Sequence, residues 1–146
     1  MRSLIGLVLC HLLPTVPATA PQTVPSTVRI TVQLVDIRSA KGGVIHVGLH
    51  REPGTGFPGP SPFVNQDLKP LGSDASMTFE APPGAYAIAV HHDQNSNGKL
   101  DTNFVGIPKE GYGVSNDARP MFSAPRFAAA RVLVSRDTTL TVHIVY

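Results

Sequence analysis

Alternation of apolar and polar side chains marks the first segments that are expected to form strands. Residues 28–34 place every second side chain, all apolar, on one side of an extended chain: Val28, Ile30, Val32 and Leu34. Residues 45–49 repeat this pattern after a Lys-Gly-Gly turn signal at residues 41–43. A period of two residues is typical of a β-strand with one buried face. The two segments are therefore predicted to pair as an antiparallel hairpin.

Further strands are predicted in the second half of the chain. Residues 77–79 suggest a short strand, and a Pro-Pro-Gly turn leads from it into AYAIAVHH, residues 85–92. Both faces of this second segment are apolar, which predicts a central strand. Residues 131–135 and 139–146 alternate again and are predicted to pair with each other across a polar turn.

Two long connections separate these predicted strands. Residues 51–71 contain five prolines and three glycines, which excludes a regular strand or helix through most of the segment. The second connection covers residues 92–128, and PRFAAARV, residues 125–132, has the pattern of a single helical turn. The fold class predicted is all-β: an immunoglobulin-like or transthyretin-like antiparallel β-sandwich of six to eight strands with long ordered loops. A small barrel is the alternative architecture.

The first 18 residues have the composition of a secretory signal peptide. Arg2 precedes an apolar run at residues 4–13, and small residues follow. The run is shorter than the roughly 18 apolar residues that span a bilayer, and Pro-rich polar sequence follows it, so no retained transmembrane segment is predicted. The mature protein is predicted to be periplasmic or extracellular.

Cleavage after Ala18 is favoured over cleavage after Ala20, because Pro21 would lie directly beside the later cut. Residues 1–18 are then the signal peptide, residues 19–26 a linker, and residues 27–146 a single β-sandwich domain.

Composition narrows the classes of partner. Cys10 is the only cysteine and lies within the signal peptide, so the mature domain must be held together by its core. The chain has 12 Lys and Arg against 10 Asp and Glu, and removal of Arg2 brings the two numbers closer still. This balance, without long runs of either sign, excludes a nucleic-acid footprint. The expected partner is an exported or envelope protein or a small ligand.

Residues 93–101, DQNSNGKLD, have the spacing of a calcium-binding loop. The oxygen-bearing side chains stand at positions 1, 3, 5 and 9: Asp93, Asn95, Asn97 and Asp101. Gly98 is at position 6, where a sharp turn is needed, and the Lys99 carbonyl is at position 7. Position 12 is Phe104, so the usual bidentate carboxylate is missing and calcium would bind weakly, with Asn103 or a remote oxygen completing the shell. No other cofactor is expected.

The alternative is a loop without an ion. Asp and Asn side chains accept hydrogen bonds from their own backbone in Asx-turns and tolerate left-handed conformations, so the same residues can form a self-satisfied turn. The protein would then be a structural, envelope-interacting module.

The histidines offer a second kind of chemistry. His91 and His92 are adjacent, so on a strand they point to opposite faces. His46 and His50 share a face but lie too far apart along a strand to bind one metal ion. A zinc or copper site would need a cross-strand pair, such as His50 with His91 or His92.

A periplasmic hydrolase is the enzymatic alternative. His91 or His92 with Asp93 or Glu110 would supply the acid–base groups, and Ser115 is a nucleophile of the required type. The chain has no G-x-S-x-G pattern. A noncatalytic module is therefore the favoured interpretation, and catalysis stays an open alternative.

Residues 84–119, GAYAIAVHHDQNSNGKLDTNFVGIPKEGYGVSNDAR, followed by FSAPRFAAARV, resemble the bacterial DUF2141 family of small exported proteins. The resemblance extends over about residues 28–146. It implies a compact β-sandwich similar to transthyretin-like or carboxypeptidase-regulatory-like domains, delivered to the periplasm or cell exterior. The family supplies no reaction and no catalytic residues.

The long connection is expected to be ordered and to form the functional surface. Apolar anchors are predicted to pack it onto the sandwich: Leu100, Phe104, Ile107, Tyr112, Phe122 and Phe127. The candidate surface residues beside the calcium ligands are His91, His92, Asn103, Glu110, Tyr112, Ser115 and Asn116. The favoured function is an exported, noncatalytic β-sandwich module whose Asp/Asn-rich loop is a candidate for weak calcium binding and organises a ligand or partner surface.

Overall fold

The computed structural model describes residues 26–59, 61–120 and 123–146. The predicted signal peptide, most of the predicted linker and Phe122 lie outside the described residues. Within them the strands are β1 (Val28–Val35), β2 (Val44–Arg51), β3 (Val64–Leu68), β4 (Ala75–Ala81), β5 (Gly84–Asp93), β6 (Gly111–Val114), β7 (Val132–Val134) and β8 (Thr138–His143). A four-residue helix, α1 (Phe127–Ala130), confirms the predicted helical turn. No helix in these ranges is long and apolar enough to cross a membrane.

The strands form two sheets, which confirms the all-β sandwich. One sheet has the order β4-β1-β8, and the other has the order β3-β2-β5-β6, with β7 also paired to β5. All pairs are antiparallel except β1 with β8, which is parallel. The three-stranded sheet therefore contains one parallel pair, whereas an entirely antiparallel sandwich was predicted.

Both predicted hairpins are wrong. β1 pairs with β4 and β8, whereas β2 pairs with β3 and β5 in the other sheet. In the same way, β7 pairs with β5 while β8 pairs with β1. The physical reason is that the apolar faces of β1 and β2, and those of β7 and β8, bury each other when the two strands of each pair lie in opposite sheets.

The core lies between the sheets and is built from the alternating positions. Its fully buried side chains from β1, β2 and β5 include Ile30, Val32, Leu34, Ile45, Val47, Leu49, Tyr86 and Ile88. The prediction of a central β5 is confirmed, because β2 pairs along most of one edge and β6 and β7 share the other. On the outer face of β5, Ala87 packs in a second small cluster with Val114 and Ala130.

The two long connections each contain a short strand that the sequence pattern did not reveal. β3 follows the Pro-rich part of residues 51–71, and β6 lies inside residues 92–128. Both strands are five residues or shorter, so alternation alone could not distinguish them from loop.

Three of the six predicted apolar anchors of the second connection are wrong. Phe104 is 100% exposed, Ile107 is 59% exposed and Leu100 is 40% exposed. Tyr112 is half-buried on β6. Phe127 is also half-buried, and its ring packs edge-on against Phe57 with centroids 5.8 Å apart. Hydrogen bonds, described below, hold the rest of the connection instead.

Candidate functional site

The register of the five-stranded sheet gathers polar side chains on its outer face. His46 on β2 lies directly opposite Asp67 on β3 and opposite His91 on β5. Asp93 follows His91 by two residues and therefore points to the same face. Since the neighbouring Ile45 points into the core, this polar group faces away from the three-stranded sheet.

Glu110 joins this group from the other side of β5. It immediately precedes β6, whose first residue, Gly111, pairs with His92. His91 Nε2 donates a hydrogen bond of 2.9 Å to Glu110 Oε2. Asp93 and Glu110 are only 1% and 4% exposed. We call His46, His91, Asp93 and Glu110 the His/carboxylate cluster.

The two buried carboxylates hold both ends of the loop that connects β5 to β6. Asp93 accepts hydrogen bonds from the amides of Asn97, at 3.1 Å, and Gly98, at 2.7 Å. Glu110 accepts from the amide of Gln94, at 2.8 Å, and its other oxygen accepts from an amide further along the loop, at 3.0 Å. The loop is therefore fixed from its buried side by two side chains.

The same contacts determine the ionisation of these carboxylates. Burial is the largest influence on Asp93 and opposes its ionisation, but the amides of Gly98 and Asn97 and the nearby histidines outweigh burial, so the pKa of Asp93 lies below its usual range. Burial is also the largest influence on Glu110, and hydrogen bonds from the loop amides and from His91 likewise bring its pKa below the usual range. Both groups are therefore negatively charged near neutral pH.

His46 is the least satisfied member of the cluster. Its Nδ1 lies 2.7 Å from Asp67 Oδ1, and Asn65 Nδ2 donates to the same oxygen at 2.9 Å. The Nε2 atom of His46 is buried and has no hydrogen-bond partner among the described residues. It lies 3.5 Å from Asp93 Oδ2, which is an electrostatic contact and too long for a good hydrogen bond.

The predicted calcium loop is ordered by its own side chains. Gly98 has φ +75°, as a sharp turn at that position requires. The side-chain oxygens of Asn95 and Asn97 accept from amides two residues further along, which is the Asx-turn arrangement. The side-chain NH2 groups of Asn95 and Asn97 donate to the two oxygens of Asp101 at 2.6 and 3.1 Å. The Asp101 carboxylate is thus where the exposed loop side chains meet.

The tip of the connection, residues 103–107, is a tight turn. The Asn103 side chain accepts hydrogen bonds from the amides of Val105, at 3.0 Å, and Ile107, at 2.9 Å. The Asn103 amide donates to the Ile107 carbonyl at 2.8 Å. The turn carries Phe104 at its exposed end. Asn103, a predicted surface residue, therefore stabilises this turn through its side-chain hydrogen bonds.

Comparison with known proteins identifies one family. A family model described as "Uncharacterized protein conserved in bacteria (DUF2141)" matches residues 32–142. The chain belongs to the DUF2141 family. No curated protein and no solved structure matches it.

Three predicted surface residues of this DUF2141 chain have structural roles away from the cluster. His92 is fully buried on the core side of β5, where it donates to the Gly42 carbonyl and lies 2.6 Å from the Tyr146 hydroxyl. Ser115 is buried, and its hydroxyl oxygen accepts from one backbone amide and donates to one carbonyl. The Asn116 side chain donates to two carbonyls of the α1 region.

These positions bear on the hydrolase alternative. His91 and Glu110 form a hydrogen-bonded pair, but the Ser115 hydroxyl is engaged with the backbone of β5 and α1. Two clefts of about 320 and 280 Å³ lie beside Pro62 and beside Arg126, and neither His91 nor Glu110 lines them.

The sequence did not reveal His46 and Asp67 as part of the site, and the cross-strand partner that it suggested for His91, His50, is wrong. His50 lies opposite Ala87, and it is His46 that lies opposite His91. Asp67 stands in β3, which was not predicted. The outward position of His46 follows from strand alternation, but its two neighbours depend on which strands flank β2.

Proposed function

We propose that this chain is an exported, noncatalytic β-sandwich module whose 93–101 loop binds calcium weakly and whose residues 103–116 present a surface to a ligand or partner outside the cytoplasm. The observation that carries the proposal is the pair of buried carboxylates, Asp93 and Glu110, which hold the loop from inside. A loop held in this way loses little conformational entropy when it binds.

The backbone of the loop supports calcium as its ion, whereas two of its Asn side chains would have to rotate to bind one. The Gly98 amide donates to Asp93, so positions 6 and 1 of the loop are already in contact. Rotation of the Asn95 and Asn97 side-chain amides would present oxygens, instead of NH2 groups, towards the Asp101 carboxylate. That rotation would break the Asx-turn hydrogen bonds of both residues. We therefore expect a dissociation constant of about 0.1 to 1 mM, the range of extracellular calcium modules.

The exposed tip supports the partner surface. Phe104, Val105 and Ile107 are 100%, 62% and 59% exposed, and they follow one another around a turn that Asn103 holds closed. Contiguous exposed apolar side chains next to polar groups are typical of interaction sites.

Export is supported by the composition of residues 1–18. Expression in a bacterium, followed by cell fractionation and mass measurement, tests it. We expect a protein that begins at Thr19 in the periplasm or medium. A cytoplasmic protein that retains Met1 would contradict export.

Calorimetric titration of the purified, chelator-treated protein with calcium tests the ion. A ligand that binds only the native state must also stabilise it, by about 1.4 kcal/mol at ten times the dissociation constant. The variant Asp101→Asn removes one of the two formal charges with little change of shape and should abolish both the heat and the stabilisation. The matched control is Glu80→Gln, which also removes one negative charge but at an exposed position on β4 of the other sheet.

The outcomes separate the two interpretations of the loop. Binding in the wild type and in Glu80→Gln, but not in Asp101→Asn, supports the calcium site. No heat and no stabilisation of the wild type at millimolar calcium would leave the loop as a rigid cap without an ion.

A further inference from the structure

Two histidines and two carboxylates converge on the outer face of the five-stranded sheet. His91 Nε2 and Glu110 Oε2 are 2.9 Å apart, and His46 Nε2 and Asp93 Oδ2 are 3.5 Å apart. Ligand atoms from His91, Asp93 and Glu110 all lie within 4.8 Å of one another. At zinc–ligand distances of about 2.0 to 2.1 Å, the edges of a tetrahedral site are about 3.3 Å long. The ligand atoms of His91, Asp93 and Glu110 are therefore close enough together to approach three corners of a tetrahedral site, and His46 Nε2, beside Asp93, is the candidate for the fourth.

His46 distinguishes this cluster from an ordinary polar network. A carboxylate only accepts hydrogen bonds, so the Asp67 contact places the proton on His46 Nδ1 and leaves a lone pair on Nε2 of the neutral ring. That lone pair is buried, has no donor among the described residues and faces the Asp93 carboxylate. Two acceptors that face each other repel unless a positive charge lies between them. A second proton on the ring or a bound cation would supply that charge.

The candidate ligands are also oriented by outer hydrogen bonds. The Asp67 carboxylate holds the His46 ring at 2.7 Å. Backbone amides donate to both oxygens of each carboxylate, at 3.1 and 2.7 Å on Asp93 and at 2.8 and 3.0 Å on Glu110. Metal ligands in proteins carry such outer contacts, which fix the histidine tautomer and the carboxylate orientation.

We infer that the His/carboxylate cluster is a binding site for a divalent transition metal, and that zinc is the ion its geometry suits best. The two imidazole nitrogens argue against calcium and magnesium, which take oxygen ligands. Because the ligands come from β2, from β5 and from the residue before β6, the ion would tie the end of the loop to the sheet. The site shares only Asp93 with the proposed calcium loop.

Titration of the metal-free purified protein with zinc chloride, followed by calorimetry and thermal unfolding, tests this inference. We expect one zinc ion per chain and a higher melting temperature. His46→Gln and His91→Gln should each weaken zinc binding by at least 100-fold. Asp67→Asn, which changes only the outer contact of His46, should weaken it by about 10- to 100-fold.

The matched control is His143→Gln. His143 also pairs with a carboxylate, Asp36 at 2.9 Å, but on the exposed part of the three-stranded sheet. Its replacement should leave zinc binding unchanged. If a cluster variant does not fold, Asp67→Asn still tests the inference, because this exposed substitution should leave the fold intact and weaken zinc binding.

Nitrogen-15 NMR of the histidine side chains provides a direct readout. Zinc bound at His91 Nε2 would replace the proton that this nitrogen donates to Glu110. Zinc should therefore shift the Nε2 resonances of His46 and His91 and leave that of His143 in place. Zinc binding that is equally tight in His46→Gln and His91→Gln, or a His46 ring that keeps protons on both nitrogens in excess zinc, would overturn the inference. Asp101→Asn distinguishes the two ion sites, since it should remove calcium binding without removing zinc binding.

Discussion

The Glu110→Gln substitution tests how the loop between β5 and β6 is held. Glu110 accepts three hydrogen bonds, from the amides of Gln94 and Asp101 and from His91 Nε2, at 2.8, 3.0 and 2.9 Å. A glutamine keeps the shape but has one oxygen and one NH2 group. The arrangement of least cost points that oxygen at the two donors on Oε2 and the NH2 group at the Gln94 amide. One buried donor then loses its acceptor.

An unsatisfied buried donor costs about 1 to 3 kcal/mol, and the lost charge weakens the two hydrogen bonds that remain. We therefore expect Glu110→Gln to lower the free energy of unfolding by about 2 to 3 kcal/mol. Glu110→Ala leaves all three donors without a partner and should lower it by about 3 to 5 kcal/mol. Urea unfolding at pH 7 measures both values, and hydrogen exchange at the Gln94 and Asp101 amides should accelerate.

The control for this measurement is again the exposed Glu80→Gln change, which should remain within about 0.5 kcal/mol of the wild type. A Glu110→Gln protein as stable as Glu80→Gln, with unchanged exchange at both amides, would refute the view that Glu110 holds the loop.

The difference in unfolding free energy between the wild type and Glu110→Gln should change with pH in a direction that the pKa of Glu110 fixes. The pKa of Glu110 is lower in the folded protein than in the unfolded chain, so its contribution to stability is fully present above the unfolded pKa. The contribution is lost as the pH falls through the lower, folded pKa. The gap between the wild type and Glu110→Gln should therefore narrow in acid and remain constant between neutral and mildly alkaline pH. A gap that widens in acid would contradict this assignment.

Four further substitutions have expected results that urea unfolding can check. Phe104→Ser should change the stability by less than about 0.5 kcal/mol because the side chain is exposed, and a loss as large as that of a core residue would restore the anchor interpretation. His92→Leu should destabilise by about 1 to 3 kcal/mol because this fully buried side chain makes two hydrogen bonds, to the Tyr146 hydroxyl and the Gly42 carbonyl, and a neutral result would contradict its structural role. Gly98→Ala should cost only the left-handed backbone penalty of about 1 to 2 kcal/mol, because an added Cβ there meets no atom. Gly43→Ala should cost more, because its Cβ would overlap the Asp93 carbonyl. Equal losses of stability in the two variants would refute this difference.

The mismatch between predicted and observed anchors shows where a residue-level pattern misleads. Phe104 and Ile107 are apolar residues in a long connection, and burial is the usual fate of such side chains. Here the connection is held by backbone hydrogen bonds to Asn103 and Glu110, so its aromatic tip needs no burial to be ordered. Composition cannot distinguish these two ways of ordering a loop.

The amino-acid sequence by itself determined the all-β class, most of the strands, the helical turn at Phe127 and the position of the Asp/Asn-rich loop. Alternation and turn residues are local signals, and a strand with one apolar face shows its own periodicity wherever it lies. The same logic placed His91 and His92 on opposite faces of β5, as observed.

Only the tertiary structure decided which strands are neighbours, and with that the composition of the site. β1 and β2 lie in different sheets, and β2 is flanked by β3 and β5, so His46 meets Asp67 and His91 from segments far apart in the chain. Strand pairing depends on how two sheets bury their apolar faces together, which is a property of all strands at once. No local pattern around His46 contains that information.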